Sequence, residues 1–151
     1  MPVSDRHELA DKVEQSVRRL HSRLSDASAE ILQEPHTIGT WAIRDLVAHM
    51  VYWHEQCIWA IRTTMNGTYE RRDYSEADDH NERAVIAMSS VPATQLLEKL
   101  LVTGLDVAGL VREVPDEMWE AKPRLERWVV LSTLEHHVEH QLDLDKALTT
   151  Q

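Results

Sequence analysis

Nine histidines in a chain of 151 residues, beside only four glycines and no phenylalanine, are the groups with the most chemistry to offer. Two of them, His136 and His140, are spaced i,i+4. At ~100° per residue such a pair lies about 40° apart on one helix face, so both imidazoles can reach a single metal ion. A third donor has to come from elsewhere in the chain. His49 stands at the margin of an apolar stripe, beside Ala42, Gln56 and Ala60, whereas His54 lies inside that stripe. Periodicity by itself makes His54 the buried one. Solvated pairs and satisfied core histidines produce the same spacing, so the pattern alone leaves both a metal site and a purely structural role open.

Other groups near these histidines have chemistry of their own. Asp45 sits one turn before His49, and Glu139 and Asp143 flank the final pair. Carboxylates so placed can accept the second N–H of a ligating imidazole. Cys57, central in an apolar stripe, reads as a buried, inert thiol. Trp53 and Trp59 read as packing residues, and Trp119 and Trp128 as residues that can line a pocket mouth. Arg44, Arg62, Arg71 and Arg72 read as solvated surface cations.

The elements that must position these groups read as helices. Leu9, Val13, Val17, Leu20, Leu24, Ala27 and Ile31 step by three or four and mark one long first helix, capped by Ser4. A second runs from a Thr40 cap to Asn66-Gly67, with Ile43, Leu46, Met50, Cys57 and Ile61 in its stripe. A third starts within the acidic stretch 69–81 and stops before Pro92, and a fourth begins near Ala93. The segment from Pro115 to Arg124 reads as a connector. The last helix spans Leu125 to Leu148 and looks two-faced. Val130, Leu131, Leu134, Val138 and Leu142 share one side, and the histidines share another with Val129, Thr133, Leu144 and Ala147. Brief loops and the absence of repeats predict one domain over 1–151: all-α, an up-down four-helix bundle with an additional short helix.

Charge and composition narrow the partners. Sixteen Lys and Arg against 26 Asp and Glu leave −10, which repels phosphate backbones and anionic bilayers, so neither nucleic acid nor membrane is expected. The opening Met-Pro-Val-Ser-Asp-Arg-His-Glu lacks the basic region and apolar run of an export signal, and one cysteine suits a reducing compartment. A cytoplasmic protein acting on a small molecule is the expectation. The leucines of the fourth helix permit a homodimer.

Two segments carry a family resemblance. Trp41-Ala-Ile-Arg-Asp-Leu-Val-Ala-His49-Met-Val-Tyr-Trp53-His54-Glu55 resembles the second-helix signature of the DinB/YfiT-like metalloenzyme superfamily. Glu135-His136-His137-Val138-Glu139-His140 is similar to the final-helix pattern of its ClbS/DfsB branch, near relatives of which are the mycothiol-dependent maleylpyruvate isomerases. Asp78-Asp79-His80-Asn81-Glu82 resembles the third-helix start, and Val114-Pro115-Asp116-Glu117-Met118 the entry to the last loop, in the same order along the chain. The resemblance implies a metal held by His49, His136 and His140, with sets involving His137 or His54 as alternatives. Three imidazoles leave a metal position open, as catalytic sites do, and suit zinc or nickel above magnesium or calcium. Asp45 is then the leading residue to orient a ligand. The resemblance further implies either transfer or isomerisation dependent on a low-molecular-weight thiol, or detoxifying hydrolysis of a reactive small electrophile. The rival reading is a non-catalytic helical module, for ligand binding or dimerisation, with structural histidines.

Overall fold

A computed structural model describes residues 5–35 and 37–149, and their regular structure is helical apart from one bridge pair, Ile38–Trp41. The stretch expected as a single first helix divides into α1 (Arg6–Ser25) and α2 (Ala29–Gln33). The division follows from Ser28, whose hydroxyl accepts from the Ile31 amide at 3.2 Å and starts a new helix. Asp5 caps α1 by accepting from the His7 amide; Ser4 lies outside the described residues. Reciprocal backbone bonds of 2.9 Å between Ile38 and Trp41 hold the next turn, so α3 (Ile43–Asn66) begins after Ala42 rather than at Thr40. Gly67, at φ 79°, ends α3 in the left-handed conformation that glycine adopts without strain.

After α3 the chain runs through α4 (Ala77–Ala87) and α5 (Ala93–Glu113). The expected connector from Pro115 to Arg124 instead holds α6 (Asp116–Ala121) and the start of α7 (Pro123–Val129). Pro115 precedes the first of these and Pro123 opens the second, where a missing amide hydrogen costs nothing. A widened π segment, Val130–Leu134, then leads into α8 (Glu135–Thr149). Thr133 covers one carbonyl of the widened turn, its hydroxyl donating to Val129 O at 2.6 Å. Single π turns inside helices are uncommon and recur at functional sites; this one immediately precedes His136.

The packing has two apolar clusters with a polar layer between them. Val17, Leu24, Leu46, Met50, Leu100 and Leu144 belong to one cluster. Val13, Cys57, Ile61, Val107, Leu125 and Val129 belong to the other. On every long helix the break between clusters falls where Ser16, His54, Thr103 and His137 stand. Helices α1 and α5 meet at Gly104, where an added Cβ would lie 2.5 Å from Val17 Cγ2. Nothing larger than hydrogen fits at that crossing.

Of the two faces expected on the final helix, one is buried and one is open. The side bearing Leu131, Val138 and Leu142 faces outward, at 58, 67 and 65% exposure, while Val129, Thr133, His137, Leu144 and Ala147 are buried. The histidine side is the core side. An apolar count does not choose between the two faces, because imidazoles whose nitrogens find partners inside can be buried without a net desolvation cost.

Candidate metal centre

Helix α3 delivers His49 and α8 delivers His136 and His140, one turn apart, to a common point. Their Nε2 atoms form a closed triangle: 2.8 Å between His136 and His49, 2.9 Å between His136 and His140, and 3.1 Å between His49 and His140. Ligands bound at ~2.0–2.1 Å to one tetrahedral ion stand roughly 3.3 Å apart, close to this triangle. The rings meet edge to face, with centroids 4.5 to 5.0 Å apart, so no ring plane blocks the shared point.

Proton bookkeeping decides what this triangle can be. Trp53 Nε1, which can only donate, lies 2.8 Å from Asn81 Oδ1, so that atom is an oxygen and an acceptor. His49 Nδ1 lies 2.9 Å from the same oxygen and must therefore carry its proton there. His140 Nδ1 lies 3.2 Å from the Asp143 carboxylate and is bound to donate as well. A neutral imidazole has one N–H, so the Nε2 atoms of His49 and His140 both present lone pairs, 3.1 Å apart. Two facing lone pairs repel unless a proton or a cation lies between them.

His136 Nε2, 2.8 Å from that of His49 and 2.9 Å from that of His140, meets them either as its N–H tautomer, donating to one, or through a shared cation; a proton beyond that one is disfavoured. Burial, followed by the neighbouring His140, lowers the pKa of His49 to about 4 against the opposing pull of Asn81. Burial and the other histidines lower His136 to about 3, the Ser132 backbone working in the opposite direction. His136 Nδ1 is nonetheless buried without a hydrogen-bond partner. At neutral pH His49 and His136 are uncharged, the form that binds a metal without first losing a proton. The donor set, three nitrogens and no oxygen, fits a borderline transition metal rather than magnesium or calcium.

Two further histidines, His54 and His137, form a different kind of site. Thr103 Oγ1 donates to Lys99 O at 2.8 Å and accepts from His54 Nδ1 at 2.9 Å. His54 Nε2 then accepts from His137 Nε2 at 2.8 Å, and His137 Nδ1 accepts from the Ser16 hydroxyl at 2.8 Å. Every proton in this chain has one donor and one acceptor, and it draws one residue from each of α1, α3, α5 and α8. No cation is required. Burial also lowers His137, to about 4, and holds His54 well below its ordinary value. His54 and His137 therefore converge with each other and not on the triangle.

Two expected orienting residues do not take that role. Asp45 accepts from the Ala42 amide at 2.9 Å, so it serves the start of α3 rather than His49. Glu139 is exposed. Asp143 does orient His140, and the partner of His49 is Asn81 on α4, whose side chain carries no sequence signal for that role beyond its place in the segment 78–82. Cys57 is fully buried, its thiol pushed up to about 12 by burial, and it is inert as a nucleophile.

Beside the triangle a cavity of about 470 Å³ is lined by His136, Trp53, Tyr74, Trp128 and two arginines, Arg124 and Arg127. Trp128 lines it as expected, whereas Trp119 is buried and Trp53, read as packing, is a wall. None of Arg44, Arg62, Arg71 and Arg72 lines this cavity. Arg44 binds Met88 O at 2.7 Å, and Arg72 stacks 3.5 Å over Trp59. Of the two arginines that do line it, Arg124 ends the segment that reads as a connector and Arg127 lies near the start of the expected last helix.

Comparison with known proteins adds one match. The family model described as the mycothiol maleylpyruvate isomerase N-terminal domain covers residues 13–145, a span that contains all three triangle histidines, Asn81 and Asp143. No curated protein and no solved structure matches the chain.

Proposed function

Because the chain belongs to the mycothiol maleylpyruvate isomerase N-terminal domain family, within the DinB/YfiT-like superfamily, we propose that it is a metal-dependent enzyme acting on a small electrophile with a low-molecular-weight thiol as co-substrate. In this reading His49, His136 and His140 hold a divalent transition metal, zinc or nickel, and the domain works as a four-helix bundle. The observation that carries it is the closed triangle of three Nε2 atoms, two of them presenting lone pairs 3.1 Å apart, an arrangement that a shared cation satisfies at all three corners. Such a metal, with a position left open by its three ligands, supplies Lewis acidity and makes a bound thiol or water acidic near pH 7.

The side chains of this protein do the rest. Asn81 and Asp143 fix the tautomers of His49 and His140, so that Nε2 of each faces inward. Tyr74, Trp53 and Trp128 enclose the adjoining cavity and limit water there. Thiol-dependent transfer or isomerisation is preferred over hydrolysis because the matching family is described by its mycothiol dependence.

Protein purified without an affinity tag should contain close to one zinc or nickel per chain by elemental analysis, and His49→Ala and His136→Ala should each lose it. Metal kept at full occupancy in those variants, or none in the parent protein, overturns the ligand set. Metal-loaded protein should then consume small electrophiles only when a low-molecular-weight thiol is supplied. Equal turnover without the thiol would point to hydrolysis instead.

A further inference from the structure

The cavity beside His136 has a charge character at odds with the rest of the molecule. Acidic residues outnumber basic ones 26 to 16 over the chain, yet the cavity lining holds Arg124 and Arg127 and no carboxylate. Some arginines elsewhere are paired, among them Arg6 with Asp116, Arg23 with Asp145 and Arg112 with Asp11, while among the described residues others on the surface, such as Arg19 and Arg62, are not. Among the described residues, neither Arg124 nor Arg127 forms an ion pair.

Arg124 is held in place by neutral groups instead. Its Nη2 donates to Thr64 Oγ1 at 2.9 Å, its guanidinium lies 4.1 Å from the centre of the Tyr69 ring, and its Nε is buried without any partner. A fixed, partly desolvated cation with a spare donor is an incomplete arrangement. Guanidinium groups complete it with a planar, two-oxygen anion such as a carboxylate.

The other walls call for a flat apolar body. Tyr74 packs at 5.2 Å from Trp53 and 5.5 Å from Trp128, ring centre to ring centre, so three aromatic side chains from separate segments stand around one space. Leu131 adds an aliphatic surface. Aromatic faces bury flat, conjugated molecules with little ordering cost of their own.

We propose that this cavity binds a flat, apolar monoanion of the aryl carboxylate class, its acid group on Arg124 and Arg127 and its ring among Trp53, Tyr74 and Trp128. One end of the ligand then lies beside His136. The proposal deepens the functional reading above by naming the class of its electrophilic substrate, and it depends on that reading only for the reaction. Binding itself needs no metal.

The experiment uses metal-free full-length protein with three probes of one shape: naphthoic acid, its primary amide, and naphthylmethylamine. Tryptophan fluorescence quenching and calorimetry should show the acid binding about 10- to 100-fold more tightly than the amide, the range for charge-assisted hydrogen bonds. The amine should bind most weakly. The Arg124→Gln/Arg127→Gln double variant should bind the amide as before and lose the preference for the acid. Equal affinity for acid and amide in the parent protein, a preference that survives the double variant, or no binding by any probe overturns the proposal. Each of these outcomes leaves the metal content untouched, so failure of the cavity assignment is distinct from failure of the metal assignment.

Discussion

His136 and His137 are neighbours in the chain and belong to two separate polar systems: Nε2 of His136 meets His49 at 2.8 Å, and Nε2 of His137 meets His54 at 2.8 Å. The ~100° between consecutive helical positions sends one ring to the three-histidine triangle and the other to a self-satisfied hydrogen-bond chain. On α3, His49 and His54 are five positions apart and receive them at different levels. Helix α8 is thus keyed to α3 at two points, and the relation has consequences for metal affinity, stability and pH response.

Removing an orienting group should weaken the metal without unfolding the protein. Asn81→Ala frees His49 Nδ1 and Trp53 Nε1, and Asp143→Ala frees His140 Nδ1. Each should lower metal affinity by about 10- to 100-fold, as losses of ligand-orienting partners do. Chelator competition gives the affinity and far-UV circular dichroism the helicity. An unchanged affinity in both variants would mean that the tautomers are set some other way.

Metal should stabilise the folded chain. An ion bound by the folded protein alone adds about 2.7 kcal/mol at a free concentration of 100 times its Kd. The thermal midpoint should therefore rise on adding zinc or nickel to the metal-free protein and return on chelation. His136→Ala should show no such rise. A response of equal size in that variant would place the ion elsewhere.

The hydrogen-bonded chain should behave as one unit. His137→Leu leaves the Ser16 hydroxyl without its acceptor and the buried His54 Nε2 without a donor, which should cost about 1–3 kcal/mol. His54→Leu should cost a similar amount, and the double variant less than the sum, because the second change removes a group that the first left unpaired. Urea unfolding of the four proteins closes the cycle. Strict additivity would show that the two rings do not interact.

Acid should destabilise the metal-free protein well before its carboxylates titrate. His49 and His137 are lowered to about 4, His136 to about 3, and His54 further below its ordinary value, whereas an unfolded histidine titrates near ~6.5. Between these limits the unfolded chain binds more protons, so stability rises with pH there. The contribution is complete above about pH 7 and is lost as pH falls toward 4, at up to about 1.4 kcal/mol per pH unit for each buried ring. Denaturant midpoints at pH 7 and pH 5 test this. Equal midpoints would mean that the rings are not neutral in the folded state.

Gly104→Ala should be disruptive although alanine favours helices. The new methyl would meet Val17 at 2.5 Å, and α1 and α5 would have to separate. A loss of about 1–3 kcal/mol is expected, in the range for overpacked cores. Partial recovery in the Gly104→Ala/Val17→Ala protein would tie the loss to this contact.

The amino-acid pattern was enough to determine that the chain is helical, that Cys57 and His54 are buried, and that His49, His136 and His140 are the histidines to watch. Helical periodicity and an i,i+4 pair are local properties, legible in one dimension, and the two histidine-bearing segments supplied a family signature. Tertiary structure alone decided which face of the last helix turns inward, because that depends on whether the nitrogens of His137 find Ser16 and His54 across other helices. It also decided that Asn81 rather than Asp45 orients His49, and that Arg124 and Arg127 line one cavity. Those relations join residues 32 to 121 positions apart or lie in short proline-led helices without a period to read. Hydrogen-bond satisfaction at such distances is a property of the assembled core, and a one-dimensional pattern does not contain it.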